Sequence, residues 1–600
     1  MNLKLERFLG KKWMIFLLFA TLIYLLGTRS DRRYGWTNPE SRDATPVVSD
    51  GAGYYAFLPH WFIYDENGFE FLKKISARYP KDGFSDNMET QEDGRLYNKY
   101  YTGTAQCLTP FFLIGHAQAN LSGEPVDGYS WSYQLWMDIG ILAYLLLGMV
   151  CLFLILRRLK LSYLSVYLSL IGLVMATNLC FYAYHDIPYS HVFSFAIVNT
   201  VLLLWLKWVQ DRKINALIWF AFFLGLGIII RPTNILILLV LPFFFESTKA
   251  FISNLKFIFQ KKHLKILAIA VVLFTIPVWV QLITVNGQTG KWGLNPYSRE
   301  GFDNWKDPYF WNILFGFRKG MFIYAPFLLL LIPGLLVCFF RARRLFYGIL
   351  IFIVVVTYVL SAWWCWWYGG SLGMRSMIDF YGILVIPIAF LISYSNRFWK
   401  IFLVLFVALS VHVYQVYERQ YDANIIHYDY MDYPMWKKVF MREEARLCWV
   451  YYADIDTLPE SATPVGLPGS FLFEGNRMKP GVIYGRKYPI FPDKIRFHQK
   501  IESKGASGFL GTRITMDINL LLKNENPVLS AEFFKNGVSL KKKEVLVGGI
   551  PLNALNWEKI KIDIDPGLKW QDADSITCFF YTGKDMVELK NMRMQLFEFK

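Results

Sequence analysis

The chain has 600 residues, of which 54% are hydrophobic and 18% aromatic, and a formal net charge of +16. That composition excludes a soluble protein of this size, because the apolar excess is gathered into runs long enough to cross a bilayer. The positive charge does not point to nucleic acid: no basic face interleaved with aromatic residues occurs, and many cations sit in short loops beside apolar runs, where the positive-inside bias places them.

At the N-terminus Lys4, Arg7, Lys11 and Lys12 precede an apolar core over 13–26, the pattern of a signal sequence. A polar Gly27-Thr28-Arg29-Ser30-Asp31-Arg32-Arg33 stretch follows, with no small-x-small cleavage site, so 13–27 is expected to remain as a first span. Residues 28–128 then form the first extracytoplasmic loop. Its apolar stretches, 54–64 with Pro59 and 107–114 with Pro110, are too short to span and are expected to lie in the outer interface.

Further apolar runs near 129–156, 161–181, 188–208, 214–230, 232–246, 265–286, 321–340, 345–363, 377–394 and 397–417 bring the total to about eleven helices. If the N-terminus is cytoplasmic, the basic loops at 157–160, 207–213, 249–265, 341–344 and 397–400 all fall inside. The opposite face then receives four polar clusters: Ser49-Asp50-Gly51-Ala52-Gly53-Tyr54-Tyr55, Tyr184-His185-Asp186, Arg231-Pro232-Thr233-Asn234, and the turn from Trp366 to Arg375.

After residue 417 the periodicity changes from helical to alternating, at Ile514, Met516, Ile518 and Leu520, at Ile560, Ile562 and Ile564, and at Met592, Met594 and Leu596. Lys535-Asn536-Gly537-Val538 is a strong hairpin turn. The expected fold is therefore an α-helical polytopic membrane protein (1–417) joined by a linker (418–465) to a C-terminal extracytoplasmic β-sandwich (466–600). The seven cysteines include no Cys-x-x-Cys pair, so no zinc cage is indicated. Cys448 and Cys578 share the extramembrane region, and their pairing is left open.

Asp50, between a span and two tyrosines and flanked by Gly51 and Gly53, is the candidate catalytic base. Glycines admit a ligand close to the backbone, and a low-dielectric surface is expected to raise the carboxylate's pKa. Arg375, Arg231 and Lys99 sit where cations can hold a phosphate, the arginines through a bidentate fork. Snorkelling to lipid headgroups is the plainer role for each. Asp186 is a second candidate acid, and His185 with His191 offers either a polar cap or an acid–base pair. Metal ligation by this group is disfavoured, because two histidines six positions apart do not share a helix face. Tyr54, Tyr55, His185, Trp366, Trp367 and Tyr368 are candidates to bind sugar or acceptor, although an interfacial aromatic belt accounts for such tryptophans equally well.

Asp50 in Ser-Asp-Gly-x-Gly-Tyr-Tyr, the Lys99-Tyr100-Tyr101-x-Gly103 segment leading to Pro110-Phe111-Phe112, the Phe315–Pro326 stretch, and the Trp-Trp-Tyr-Gly-Gly-x-x-Gly-x-Arg375 turn occur in one chain. Together they resemble the GT-C membrane glycosyltransferases, nearest to bacterial relatives of the protein mannosyltransferase and aminoarabinose transferase group, over roughly residues 10–420. The resemblance implies a polyprenyl-phosphate-sugar donor, a lipid, glycan or protein acceptor, an active site on the outer face of a bacterial cytoplasmic membrane, and Asp50 as base. No cofactor is firmly implied, a divalent metal being the disfavoured alternative, and no nucleic-acid partner is expected. Two departures stand out. Protein mannosyltransferases carry Asp-Glu where this chain has Asp50-Gly51, and the Trp-Trp-Asp-Tyr-Gly signature of oligosaccharyltransferases lacks its Asp here. With no second carboxylate evidently paired with Asp50, direct displacement with inversion is expected. The rival readings are a transporter or flippase of lipid-linked sugars and a non-catalytic glycan-assembly protein. Mid-membrane ionisable residues and repeated halves would favour a transporter, and neither is evident.

Overall fold

A computed structural model describes residues 3–34, 47, 49–64, 68–79, 88–90, 95–297, 300–428 and 431–443, together with the backbone of strands between 463 and 598. The chain divides into two units, Met1–Gln415 and Val416–Lys600.

Seven helices of the described residues are long and apolar enough to cross a membrane: Lys12–Ser30, Trp131–Arg158, Ser190–Asp211, Lys261–Thr289, Arg343–Ser361, Arg375–Tyr394 and Arg397–Asp422. The count of about eleven is not reached, because four of the expected runs fold as shorter or broken helices. The runs at 161–181 and 214–230 become Tyr163–Met175 and Ala216–Ile230. The run at 232–246 forms the tight 3₁₀ segments Pro232–Leu239 and Leu241–Phe244, bent by 113° against Thr248–Ile258. The run at 321–340 is divided at Ala325-Pro326. Proline explains the breaks at 232, 242 and 326, since it lacks the amide hydrogen that the preceding turn would accept.

Burial separates core helices from rim helices. Over an 18-residue apolar stretch, 83% and 89% of the residues of Ser190–Asp211 and Arg375–Tyr394 are buried, against 17% in Lys12–Ser30 and in Lys261–Thr289. The rim helices turn Phe16, Val271 and Ile283 outward, as a lipid-facing surface requires. Inside, small polar groups join helices: Asn234 Nδ2 donates to Ser194 Oγ at 2.8 Å and to Gly227 O at 2.9 Å.

Both apolar stretches of the first loop extend into helices, Ser49–Phe62 and Gly103–Ser122. The first is buried from Gly51 to Pro59, so it packs inside the protein where the sequence suggested an interfacial position. The second runs antiparallel to Trp131–Arg158. The Tyr144 hydroxyl donates to Cys107 O at 3.1 Å, and Trp136 Nε1 donates to Gln118 Oε1 at 2.7 Å.

In the second unit the three alternating segments are strands of one sheet, in which Thr512–Leu522 lies between Glu558–Ile564 and Val587–Glu598. Antiparallel register sets Ile560 opposite Ile518, and Ile514 opposite both Ile564 and Leu596. Val528–Lys535 and Val538–Leu546 pair as a hairpin closed between Lys535 and Val538. The side chains of this sheet, the 444–462 part of the linker and the pairing of Cys448 with Cys578 lie outside the described residues.

Candidate active site

The helix Ser49–Phe62 begins with Asp50 in its first turn, where the free amides favour an anion. The next elements of the first loop bring Lys99 and Tyr100 alongside it: a Cβ on Gly53 would stand 2.1 Å from the Tyr100 ring, so only glycine permits this approach. Tyr100 then donates its hydroxyl to Asp50 Oδ1 at 2.7 Å, and its ring lies 4.7 Å from that of Tyr54.

From the far end of the chain, the Trp-rich turn supplies Arg375. Tyr368 and Gly369 adopt positive φ of 59° and 70°, and Gly373 of 66°. At Gly373 a side chain would both strain that conformation and stand 3.0 Å from Tyr324 Cβ. Asn178 Nδ2 donates to Leu372 O at 2.9 Å, and the buried Lys319 donates to Ser371 O, which fixes the turn from behind. Arg375 Nη2 consequently reaches Asp50 Oδ2 at 2.7 Å, with its guanidinium 5.1 Å from the Tyr189 ring.

Arg231 follows the last turn of Ala216–Ile230 and meets Asp379 behind the cavity wall. Its Nε is 2.9 Å from Asp379 Oδ2, an ion pair in which the N–H is not aimed along the contact. The other oxygen of Asp379 lies 2.9 Å from His191 Nδ1. Lys99 Nζ pairs with Glu300 Oε1 at 2.6 Å.

These groups line one cavity of about 410 Å³, which brings together Asp50, Tyr54, Lys99, Arg231, Tyr368 and Arg375 of the sequence-derived candidates. It also includes His191, Tyr297, Glu300 and Trp363. The remaining candidates do not line it. Tyr55, one position on from Tyr54 around the helix, donates to Gly128 O at 2.7 Å. His185 Nδ1 pairs with Asp186 Oδ1 at 2.7 Å, and the ring of His185 stacks on Phe181. Trp366 stacks on Tyr309 at 5.2 Å, and Trp367 takes the Arg318 guanidinium 3.6 Å over its ring. His185 and His191 thus belong to different pairs. Among the described residues no group of three or more His, Cys, Asp or Glu is arranged to hold a metal ion.

The expected rise in the Asp50 pKa is reversed. Burial does push it upward, but the Arg375 guanidinium and the Tyr100 hydroxyl outweigh that, and the carboxyl is held below its ordinary value of 3.8. Its side chain remains 24% exposed toward the cavity. Asp50 is therefore a charged, partnered carboxylate at neutral pH. Tyr100 and Tyr297 are shifted up, chiefly by burial, and remain protonated hydroxyl donors.

Sequence reasoning missed Asp379, Glu300 and Tyr297. Asp379 did have a signal: it is the one acid in the apolar run 377–394, and an ionisable residue within a span marks a site by default. Glu300 and Tyr297 carry no comparable pattern.

No known family profile matches the chain, and no curated protein matches it. Several solved structures align with it loosely. The Archaeoglobus fulgidus oligosaccharyltransferase in the apo form aligns at 10% identity and a TM-score of 0.38, covering 69% of this chain and 58% of that one. The archaeal oligosaccharyltransferase AglB from Archaeoglobus fulgidus, in complex with an inhibitory peptide and a dolichol-phosphate, gives 10% and 0.38, with coverages of 68% and 56%. The arabinosyltransferase EmbB from Mycobacterium smegmatis gives 11% and 0.32, with coverages of 92% and 63%. The alignments thus span less than two thirds of each of those chains.

Proposed function

We propose that the chain is an integral membrane glycosyltransferase of the GT-C type. It transfers a sugar from a polyprenyl-phosphate donor to an acceptor hydroxyl, with inversion, on the extracytoplasmic face of a bacterial cytoplasmic membrane. The observation that supports this best is the meeting, in one cavity, of a carboxylate, Asp50, with the cations Lys99, Arg231 and Arg375. Transfer needs both. The acceptor oxygen bonds to the anomeric carbon as the bond from that carbon to the phosphate oxygen breaks, and the phosphate leaves with the electron pair. Lys99, Arg231 and Arg375 stabilise the charge on the departing phosphate, and Asp50 takes the proton of the acceptor hydroxyl. The walls formed by Tyr54, Tyr297, Tyr368 and Trp363 offer apolar faces to a sugar ring. Lipid, glycan and protein hydroxyls all remain open as acceptors. Asp186, His185, Tyr55, Trp366 and Trp367 are given no direct part, since they lie outside the cavity lining.

The test is release of isoprenoid phosphate by the purified chain from a panel of synthetic isoprenoid-phosphate sugars. Acceptor-dependent release from one member is expected. If none is hydrolysed or transferred while reconstituted vesicles carry one across the bilayer, the protein is a transporter.

The orientation is tested separately in intact cells, with single cysteines placed at Arg212 and Leu540 after removal of all seven native cysteines. A membrane-impermeant maleimide is expected to label position 540 and spare position 212. The reverse pattern would invert the topology. The β-rich unit is proposed to select the acceptor and not to take part in chemistry, because every cavity residue lies between Asp50 and Arg375. A chain truncated after residue 465 is expected to retain donor turnover with a small alcohol as acceptor. Complete loss in a folded truncation would mean that the unit helps to build the site.

A further inference from the structure

The two cavity arginines are held in opposite ways. Asp379, fully buried, engages Arg231 at its Nε edge and is itself shared with His191 Nδ1. The two Nη groups of Arg231 make no hydrogen bond among the described residues, and the guanidinium lines the cavity with its centre 5.8 Å from the Tyr368 ring. Arg231 is thus anchored from behind with its fork open. Arg375 is the reverse: Asp50, which lines the same cavity, occupies its Nη2 at 2.7 Å. Asp50 is tied in turn by Tyr100 at 2.7 Å. A phosphate entering the cavity meets one open fork and one that is already engaged.

We propose that Arg231 is the resting phosphate fork, and that a bound phosphate then draws Arg375 away from Asp50, so that Asp50 becomes an effective base only when a donor is in place. This rests on the isoprenoid-phosphate donor reading and adds an order of events to it. A carboxylate ion-paired with a guanidinium is a poor proton acceptor, and loss of that partner restores its basicity. The phosphate replaces the carboxylate on Arg375, one anion for another, and the carboxylate it releases faces the cavity in which the acceptor hydroxyl must sit. Donor binds first and acceptor second. An acceptor arriving at an empty site finds no base.

The experiment measures binding of farnesyl phosphate, an isoprenoid phosphate without sugar, to the purified full chain in detergent, with thermal melting used to check that each variant is folded. Arg231→Lys keeps the charge and loses the planar fork, so affinity is expected to fall about tenfold, and Arg231→Ala by more. Asp50→Asn releases Arg375 without a large volume change and is expected to tighten binding about tenfold. Arg375→Ala alone is expected to cost only about threefold, since in the wild type that contact is offset by breaking the Asp50 pair. The double variant Asp50→Asn/Arg375→Ala is expected to lack the gain. Unchanged or weaker binding by Asp50→Asn, or a larger loss from Arg375→Ala than from Arg231→Ala, would overturn the proposal while leaving the donor reading intact. Failure of the wild type to bind farnesyl phosphate at all would remove the donor reading itself.

Discussion

Asp50→Asn is expected to lower sugar transfer by about 10²-fold or more while the protein folds normally. Asparagine has nearly the volume of aspartate, and its carbonyl oxygen can still accept from the Tyr100 hydroxyl, which lies 2.7 Å from Asp50 Oδ1. What it cannot do is take up a proton or balance the charge of Arg375. The loss should fall on kcat, with the donor KM lowered because Arg375 is freed for the phosphate. A merely structural role for Asp50 would instead raise KM and lower the melting temperature together. Near-normal turnover by the purified Asn variant would remove Asp50 from the chemistry.

The second large effect is expected at a residue with no functional group. A Cβ on Gly103 would stand 2.3 Å from the backbone nitrogen of Ile230 and 2.5 Å from the carbonyl carbon of Ile229. Those are main-chain atoms and cannot swing aside, so Gly103→Ala must push the start of the helix Gly103–Ser122 away from the segment that ends in Arg231. Lys99, Tyr100 and Tyr101 lie just upstream of the same contact and line the cavity with Arg231. Overpacking of this kind costs about 1–3 kcal/mol, and the displacement spreads to both walls of the site. A lower melting temperature and at least about a tenfold loss of donor turnover are expected, since misplacement by about 1 Å is enough to cost that much. Gly27→Ala is the control, because a Cβ there meets nothing within 4 Å. If Gly103→Ala matches the wild type in both measurements, the close approach is not a constraint on the site.

Much of the architecture was legible because its signals are local. Hydropathy located the seven helices long enough to span, and alternation located the strands that pair around Thr512–Leu522. Hydropathy overstated the number of full spans because it counts apolar residues and not hydrogen bonds: Pro232, Pro242 and Pro326 interrupt the ladder without lowering the apolar score. Asp50 and Arg375 could each be singled out from the glycines around them, but not their contact. The pKa direction was therefore misjudged: burial was foreseeable at Asp50, and the cation opposite it was not. The His191–Asp379 pair joins positions 188 apart. The tryptophans show the converse difficulty. Their composition was plain, but which side of the turn each ring faces depends on Tyr309 and Arg318, from another segment.

The three cation–carboxylate contacts, Lys99 with Glu300, Arg231 with Asp379 and Arg375 with Asp50, also fix how the cavity looks from a distance. With each group in its usual charge state, the six cancel. A pocket of bare cations would project a field through the water above it and attract every nucleotide and inorganic phosphate in reach. A balanced one has almost no such reach, and its pairs separate only for an anion already in contact. For the proposed isoprenoid-phosphate donor, recruitment would then fall to the bilayer, which delivers the tail by lateral diffusion in two dimensions, and soluble phosphates would be left as weak competitors.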